Sequence, residues 1–450
     1  MKYLYFILQV IFYILLFYII VIASINYYYY YKLSSLTIYN TNKEKYLIYV
    51  TNNIPYYYNY KNKNLKNFPI TTKQYITDNQ DLFINKLMKD KLLKLSINTA
   101  NNSWTNKNEF TIKELDYFTN CYYLYYLFNN YAIANITGGS SGQYFYQWFT
   151  LTDYYLGLYT FIKCWTNMGW TANEKILLYY FHGSNSVKLI NYLNLTNLYS
   201  LVPILDNNGD ITLESAKSFV NNINNYKPEL IVSFPSLIYR ICQLIYENNL
   251  SLTYIPKYMD ISADFLFTCQ YKFIKEIFKT TDIRLSYGTI EFGQIAQQIP
   301  GKMFDYEVFD DIAYVENDDN NNLIVTNFLY TTMPIIRYNT DDKGTVITLN
   351  SSKQIITNLI GKSNSNIDYI LIDNIINNIN MYNLNIINFR IYETKKYIYI
   401  FLKNQENYEN YFNNIFVNYK FINIYCNNNN CNTIDRFDRK NTPILKEYKM

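Results

Sequence analysis

The sequence predicts an α/β protein: layered strand–helix units, a β-rich piece, and a small α+β segment at the end. Three observations lead there. Over residues 175–288 short apolar runs alternate with amphipathic ones, punctuated by Gly and Pro, as strands and helices in layers do. After Gly301 the helical periodicity gives way to strand-like runs. Ahead of both, residues 3–31 contain no charge.

That charge-free run exceeds the ~20 residues that a helix needs to cross a bilayer. Its apolar part, 3–23, is longer than a usual signal-peptide core, and no small-x-small cleavage site follows. Residues 1–31 therefore read as a single-pass N-terminal membrane helix, with the Tyr27–Tyr31 cluster at the interface. A cleaved signal peptide is the alternative. Lys32, Lys43 and Lys45 outweigh Lys2, which favours a cytosolic body.

The chain of 450 residues is long enough for two or three domains, and 49% apolar content supports folded cores. A net charge of +4 with no dense Lys/Arg block argues against a nucleic-acid partner. Tyr occurs 53 times, and with the many Asn, Ile and Lys this is the mark of an AT-rich genome. Gly, Pro and Ala work against that bias and carry more information. Six cysteines form no C-x-x-C pair, so reduced thiols are expected. His182 is the only histidine, which argues against His-rich metal sites; no G-x-S-x-G elbow supports a Ser–His hydrolase. His182 reads as a core residue or one facing a pocket. Trp165 and Trp170 read as packing.

In chain order, a helix-like run covers 68–95. A helix over 109–131 leads into a strand at 131–136, and 144–151 is the next strand. A helix over 153–167 ends at Gly169. Then come a strand at 175–181, a helix at 213–224 and a strand at 228–234. Pro235 opens a helix to Glu247. A strand at 258–262, a helix at 268–279 and a strand at 283–287 complete the alternation. The β-rich piece holds strands at 307–315, 323–328, 335–338 and 345–349. Beyond Gly361 lie strand-like runs at 386–393 and 396–402 and a helix at 408–419.

Three of only 12 glycines fall in Thr137-Gly138-Gly139-Ser140-Ser141-Gly142. Glycine permits positive φ and close approach, and neighbouring hydroxyls add donors, so this loop can wrap an anion, phosphate above all. A plain tight turn is the alternative, and the Lys-Ser/Thr ending of a Walker A loop is missing. Tyr287-Gly288-Thr289-Ile290-Glu291 stands at a strand end, and Arg337-Tyr338-Asn339-Thr340-Asp341-Asp342 follows later. Phosphate chemistry needs a carboxylate for Mg²⁺ and cations against developing charge. Glu291 suits the first role; a helix N-terminal Glu and a surface turn at Asp341-Asp342 are the plainer alternatives.

These motifs, in this order, resemble the adenylate-forming superfamily, in its phenylacetate–CoA ligase-like and CapK-like capsule-biosynthesis branch, over 43–446. Asn53-Ile54-Pro55-Tyr56-Tyr57, Phe68-Pro69-Ile70-Thr71-Thr72-Lys73, Thr137 to Gly142, 227–236, Tyr287 to Gly293 and Met333 to Tyr338 with Asp342 carry it. The resemblance implies a large domain (32–360) and a small lid domain (361–450) on a hinge at Gly361-Lys362-Ser363. It implies ATP and Mg²⁺, a small-molecule carboxylate substrate, and coenzyme A or another acyl acceptor. Thr137, Gly138, Gly139, Ser140, Ser141 and Gly142 would hold the phosphates. Tyr287, Gly288, Thr289 and Lys362 would line the nucleotide, and Asp342 would bind the ribose. Glu291 would reach Mg²⁺, and Lys440 would act in the adenylation step. The chain departs from the family at Ile290 (usually Thr), Lys362 (Arg), Ser365 (Asp), Arg439 (Gly) and Asp264 (Glu). A catalytically degenerate binding or scaffold protein is therefore the second expectation.

Overall fold

The structure, a computed structural model, describes residues 43–93, 95–98, 103–106, 131–138, 144–180, 197–206, 211–263, 265–349, 353–362, 373, 386–392, 397–402 and 420–425. The N-terminal run, the 109–130 helix, Gly139 to Gly142, His182, Asp264, Ser363, Ser365, the 408–419 helix, Arg439 and Lys440 lie outside the described residues. Among the described residues no helix is long and apolar enough to cross a membrane.

Strands β1 (Leu92–Leu93), β4 (Ala132–Gly138) and β5 (Tyr144–Phe149) form one small sheet, β1 parallel and β5 antiparallel to β4. β2 (Leu95–Asn98) and β3 (Ser103–Asn106) make a hairpin. Among the described residues the main sheet has eleven strands. They are β6 (Ile176–Tyr179), β7 (Leu198–Leu201), β8 (Leu230–Ser233), β9 (Tyr258–Ser262), β10 (Asp282–Thr289), β11 (Gly293–Gln298), β12 (Tyr306–Val308), β13 (Ala313–Asn317), β14 (Asn322–Asn327), β15 (Tyr338–Thr348) and β16 (Gln354–Lys362). Their order is β13-β14-β15-β16-β12-β11-β10-β9-β8-β6-β7. β17 (Ile386–Tyr392), β18 (Tyr397–Leu402) and β19 (Lys420–Tyr425) form a separate sheet.

The two halves of the main sheet differ in kind. From β7 to β10 every pairing is parallel; from β10 to β13 every pairing is antiparallel. Parallel strands need crossovers, and helices Leu213–Tyr226, Pro235–Glu247 and Thr268–Ile277 supply them. β6 and β8 are buried at every position, which is why they read as unbroken apolar runs. Thr150 caps helix Leu151–Asn167 in a capping box with Asp153. Asp153 also accepts from the Thr331 amide at 2.8 Å and from the Thr332 hydroxyl, so one buried carboxylate joins helix and β-rich piece.

The antiparallel half curls. β10 and β15 stand four places apart in the strand order, about 19 Å if the sheet were flat. Yet Tyr287 on β10 hydrogen-bonds Asp342 on β15 at 2.8 Å. The Asn327 amide likewise donates to the Phe292 carbonyl at 2.6 Å. The N-terminal segment packs on this curl: Thr71 bridges Tyr338 in parallel register, and the Tyr57 hydroxyl accepts from the Ile336 amide at 3.1 Å.

Several sequence expectations change. The single helix over 68–95 is three short pieces, Lys73–Asp78, Gln80–Phe83 and the 3₁₀ turn Lys86–Lys91, because Asn79 ends one and the Asn85 side chain caps another. The strand at 307–315 splits into β12 and β13, since a turn intervenes where the Ile312 and Ala313 amides both bond the Phe309 carbonyl. Residues 335–337 are not strand; β15 begins at Tyr338 and runs through 345–348. Helix Lys43–Asn53 and strands β7, β11, β16 and β19 were not anticipated.

Candidate active site

The site forms where the hairpin β10–β11 meets β15. Ile290, Glu291 and Phe292 make the three-residue turn between Thr289 and Gly293, which pair across it. Gly293 takes the left-handed conformation (φ +70°) that closes such a hairpin. Gly288 is required for another reason: a Cβ there would lie 2.3 Å from the Gly293 carbonyl oxygen and 2.6 Å from Gln294 Oε1. Glu291 is thus at a hairpin tip and not at a helix start, which removes the macrodipole alternative.

Glu291 is buried, with the Tyr338 hydroxyl directed to its Oε1 at 3.5 Å. The Tyr287 hydroxyl donates to Asp342 Oδ2, and Asp342 is also buried. Burial, then the facing carboxylates, push both phenols up, so each stays a protonated donor. The Phe292 ring touches both tyrosine rings, at 6.1 and 6.5 Å, and holds the two pairs side by side. Asp342 is therefore part of a strand and turned inward, not in a surface turn.

At the same tip, Ile290 is 39% exposed, whereas the hydroxyl of Thr289 is buried and has no hydrogen-bond partner among the described residues. An orphaned buried hydroxyl is a donor and acceptor that a ligand atom or a water can pair. Gln294 Oε1 is unpaired in the same way, lying over Gly288. Neither orphan is visible from sequence, because both depend on the hairpin's cross-strand register.

Arg337 does not serve as a free cation. Its guanidinium takes Glu316 through Nε at 3.1 Å and Nη2 at 2.5 Å, and the Lys66 and Phe68 carbonyls through Nη1. Its backbone is left-handed (φ +50°). The pairing partner, Glu316, lies 21 residues upstream and gives no sequence signal.

Asp342 and Lys362 are cross-strand partners on β15 and β16, so the backbone brings together the two positions that the resemblance gives to ribose and hinge. Thr137 and Gly138 close β4, paired with Phe145 and Tyr144, so 139–143 joins two antiparallel strands. Among the described residues no group of three or more His, Cys, Asp or Glu could hold a metal. Magnesium needs no such cage: one or two carboxylates with substrate phosphates and water suffice, and buried Glu291 fits that.

No protein-family model matches the chain. Protein CapK of Staphylococcus aureus is 25% identical over 131 residues, 29% of this chain and 29% of CapK's own length. The chain thus spans less than a third of that relative. Among solved structures, 2-hydroxyisobutyryl-CoA ligase in the postadenylation state with R3-HIB-AMP is similar with a TM-score of 0.62 and 12% identity, over 90% of this chain and 88% of that one. The same ligase with 2-HIB-AMP and CoA in the thioesterification state gives 0.51 and 13%, over 90% and 89%. This chain has the fold of the adenylate-forming ligases.

Proposed function

We propose that this protein activates a carboxylate with ATP. The carboxylate oxygen attacks the α-phosphorus, the bond to pyrophosphate breaks, and an acyl-adenylate forms. The acyl group then passes to a thiol, coenzyme A being the candidate, with AMP leaving. The observation that carries this reading is the pairing of Glu291 with Tyr338 and Asp342 with Tyr287 beside the orphaned Thr289 hydroxyl.

In this reading Asp342, oriented by Tyr287, accepts from the ribose hydroxyls. Glu291 would hold Mg²⁺, which would offset charge on the phosphates. Thr289 supplies the hydroxyl that Ile290 lacks. The 137–142 loop cradles the leaving pyrophosphate, and Lys440 is delivered by the segment beyond Lys362. The run at 3–31 anchors the body at a membrane. Incubation with ATP, Mg²⁺ and a panel of carboxylates, read by mass spectrometry, tests the reading: an acyl-AMP forms with at least one carboxylate. Absence of any acyl-AMP and of AMP release across the panel contradicts it.

A second reading, ligand binding without turnover, is favoured by Ile290 and by Arg337 being held in a structural ion pair. It predicts ATP binding by calorimetry with no pyrophosphate release.

A further inference from the structure

The described chain begins on a lobe, 43–91, whose surface differs from the rest. It carries nine lysines against four acidic residues, a net +5, where the whole chain carries +4. Among the described residues, six of the fourteen exposed large apolar side chains also lie in it. Lys86 links the segments that carry three of them. The Lys86 ammonium donates to the Asn52 carbonyl at 2.8 Å and sits 5.8 Å over the Tyr58 ring. Asn52 is one helical turn from Ile48 on helix Lys43–Asn53, and Leu87 follows Lys86 directly. Leu87 is 72% exposed, Ile48 50% and Tyr58 41%. Exposed apolar side chains on a lysine-rich segment are the composition that seats in the headgroup layer of an anionic bilayer.

Sequence position supplies the second argument. Only residues 32–42 separate the charge-free run from Lys43. Fully extended, those eleven residues reach at most roughly 40 Å. A body tethered so closely meets the surface at a high effective concentration, so a weak contact is populated.

We infer that the segments linked by Lys86, through Ile48, Tyr58 and Leu87, rest on an anionic lipid surface. This uses the anchor reading for the tether only; the charge argument stands without it. The contact orients the lobe that carries Thr71 and Tyr57, and these pack on β15 and the preceding turn of the candidate site.

The test is amide hydrogen exchange of the full chain on phosphatidylcholine vesicles with and without about 30% phosphatidylglycerol. Expected is exchange over 43–60 and 80–91 slowed about fivefold or more on the anionic vesicles alone, with 313–327 unchanged. Salt near 1 M, or the triple variant Lys86→Glu, Lys89→Glu, Lys91→Glu, removes the slowing. Equal exchange on both vesicle types, or slowing kept by the triple variant, overturns the inference. Slowing that grows with protein concentration without vesicles identifies a second copy as the occupant and also overturns it. Flotation on neutral vesicles reports on the anchor separately: if the chain fails to float there but floats on anionic vesicles, the lipid contact stands and the anchor reading fails.

Discussion

The Tyr287 hydroxyl reaches Asp342 across 55 residues of sequence and four places in the strand order. It joins the parallel half of the main sheet to the curled antiparallel half at the candidate nucleotide site. Tyr287→Phe keeps the ring and removes the bond. The expected result is a loss of about 1–3 kcal/mol in stability by urea unfolding, from a buried carboxylate missing a donor. ATP affinity by calorimetry should fall about tenfold with it, because Asp342 is no longer held. Unchanged affinity would detach Asp342 from the nucleotide.

Thr289 and Ile290 form a matched pair for a second experiment. Thr289→Val preserves shape and removes the orphaned hydroxyl. Adenylation is expected to drop by about 10²-fold, the size of one lost charge-stabilising donor. Ile290→Ala trims an exposed side chain and should leave the rate within about threefold. The reverse ranking would return the role to position 290.

Arg337 is expected to matter for stability more than for catalysis. Its ion pair with Glu316 is largely sheltered, with side-chain exposures of 15% and 18%. Arg337→Lys loses the planar fork that serves Glu316 and two carbonyls at once. A destabilisation of about 2–3 kcal/mol in urea is expected, with pyrophosphate exchange per folded molecule kept within about threefold. A collapse of exchange in a stably folded variant would show that Arg337 meets the substrate.

Asp260 sets a pH dependence. It is buried in β9, accepts from Trp165 Nε1 at 2.9 Å and from the Ser286 hydroxyl, and burial pushes its carboxyl up to about 6. The ordinary Asp value is about 3.9. The native state therefore holds the proton more tightly than the unfolded chain, and stability from this group is present at low pH. It declines as pH rises through about 6, by roughly 3 kcal/mol for two pKa units. Urea unfolding at pH 4.5, 6 and 7.5 should show this decline in the wild type and not in Asp260→Asn. Identical profiles would mean that Asp260 stays ionised throughout.

The parallel half of the fold, β7 apart, was legible because its signals are local. β8 follows Pro228, Pro235 opens the next helix, and Gly169 ends helix Leu151–Asn167, each as sequence order implies. The curl was not legible. It depends on Tyr287–Asp342 and Asn327–Phe292, contacts between segments far apart in the chain. The same division holds at the site. Glu291 and Asp342 stood out by residue type and motif, and both are buried beside tyrosines. Arg337 stood out equally and is engaged elsewhere, because its partner Glu316 is identified only by the fold. Thr289 stands one residue before the position where the family has Thr, and the burial of its hydroxyl follows from hairpin register, which composition does not encode.

Adenylation in the proposed reaction depends on Glu291. Exchange of labelled pyrophosphate into ATP, run with the carboxylate that gives acyl-AMP, tests it in wild type and Glu291→Ala. Carboxylate-dependent exchange in the wild type, lowered on the order of 10²–10³-fold in Glu291→Ala at unchanged thermal stability, is the predicted result. Exchange of equal rate in both proteins would contradict the account.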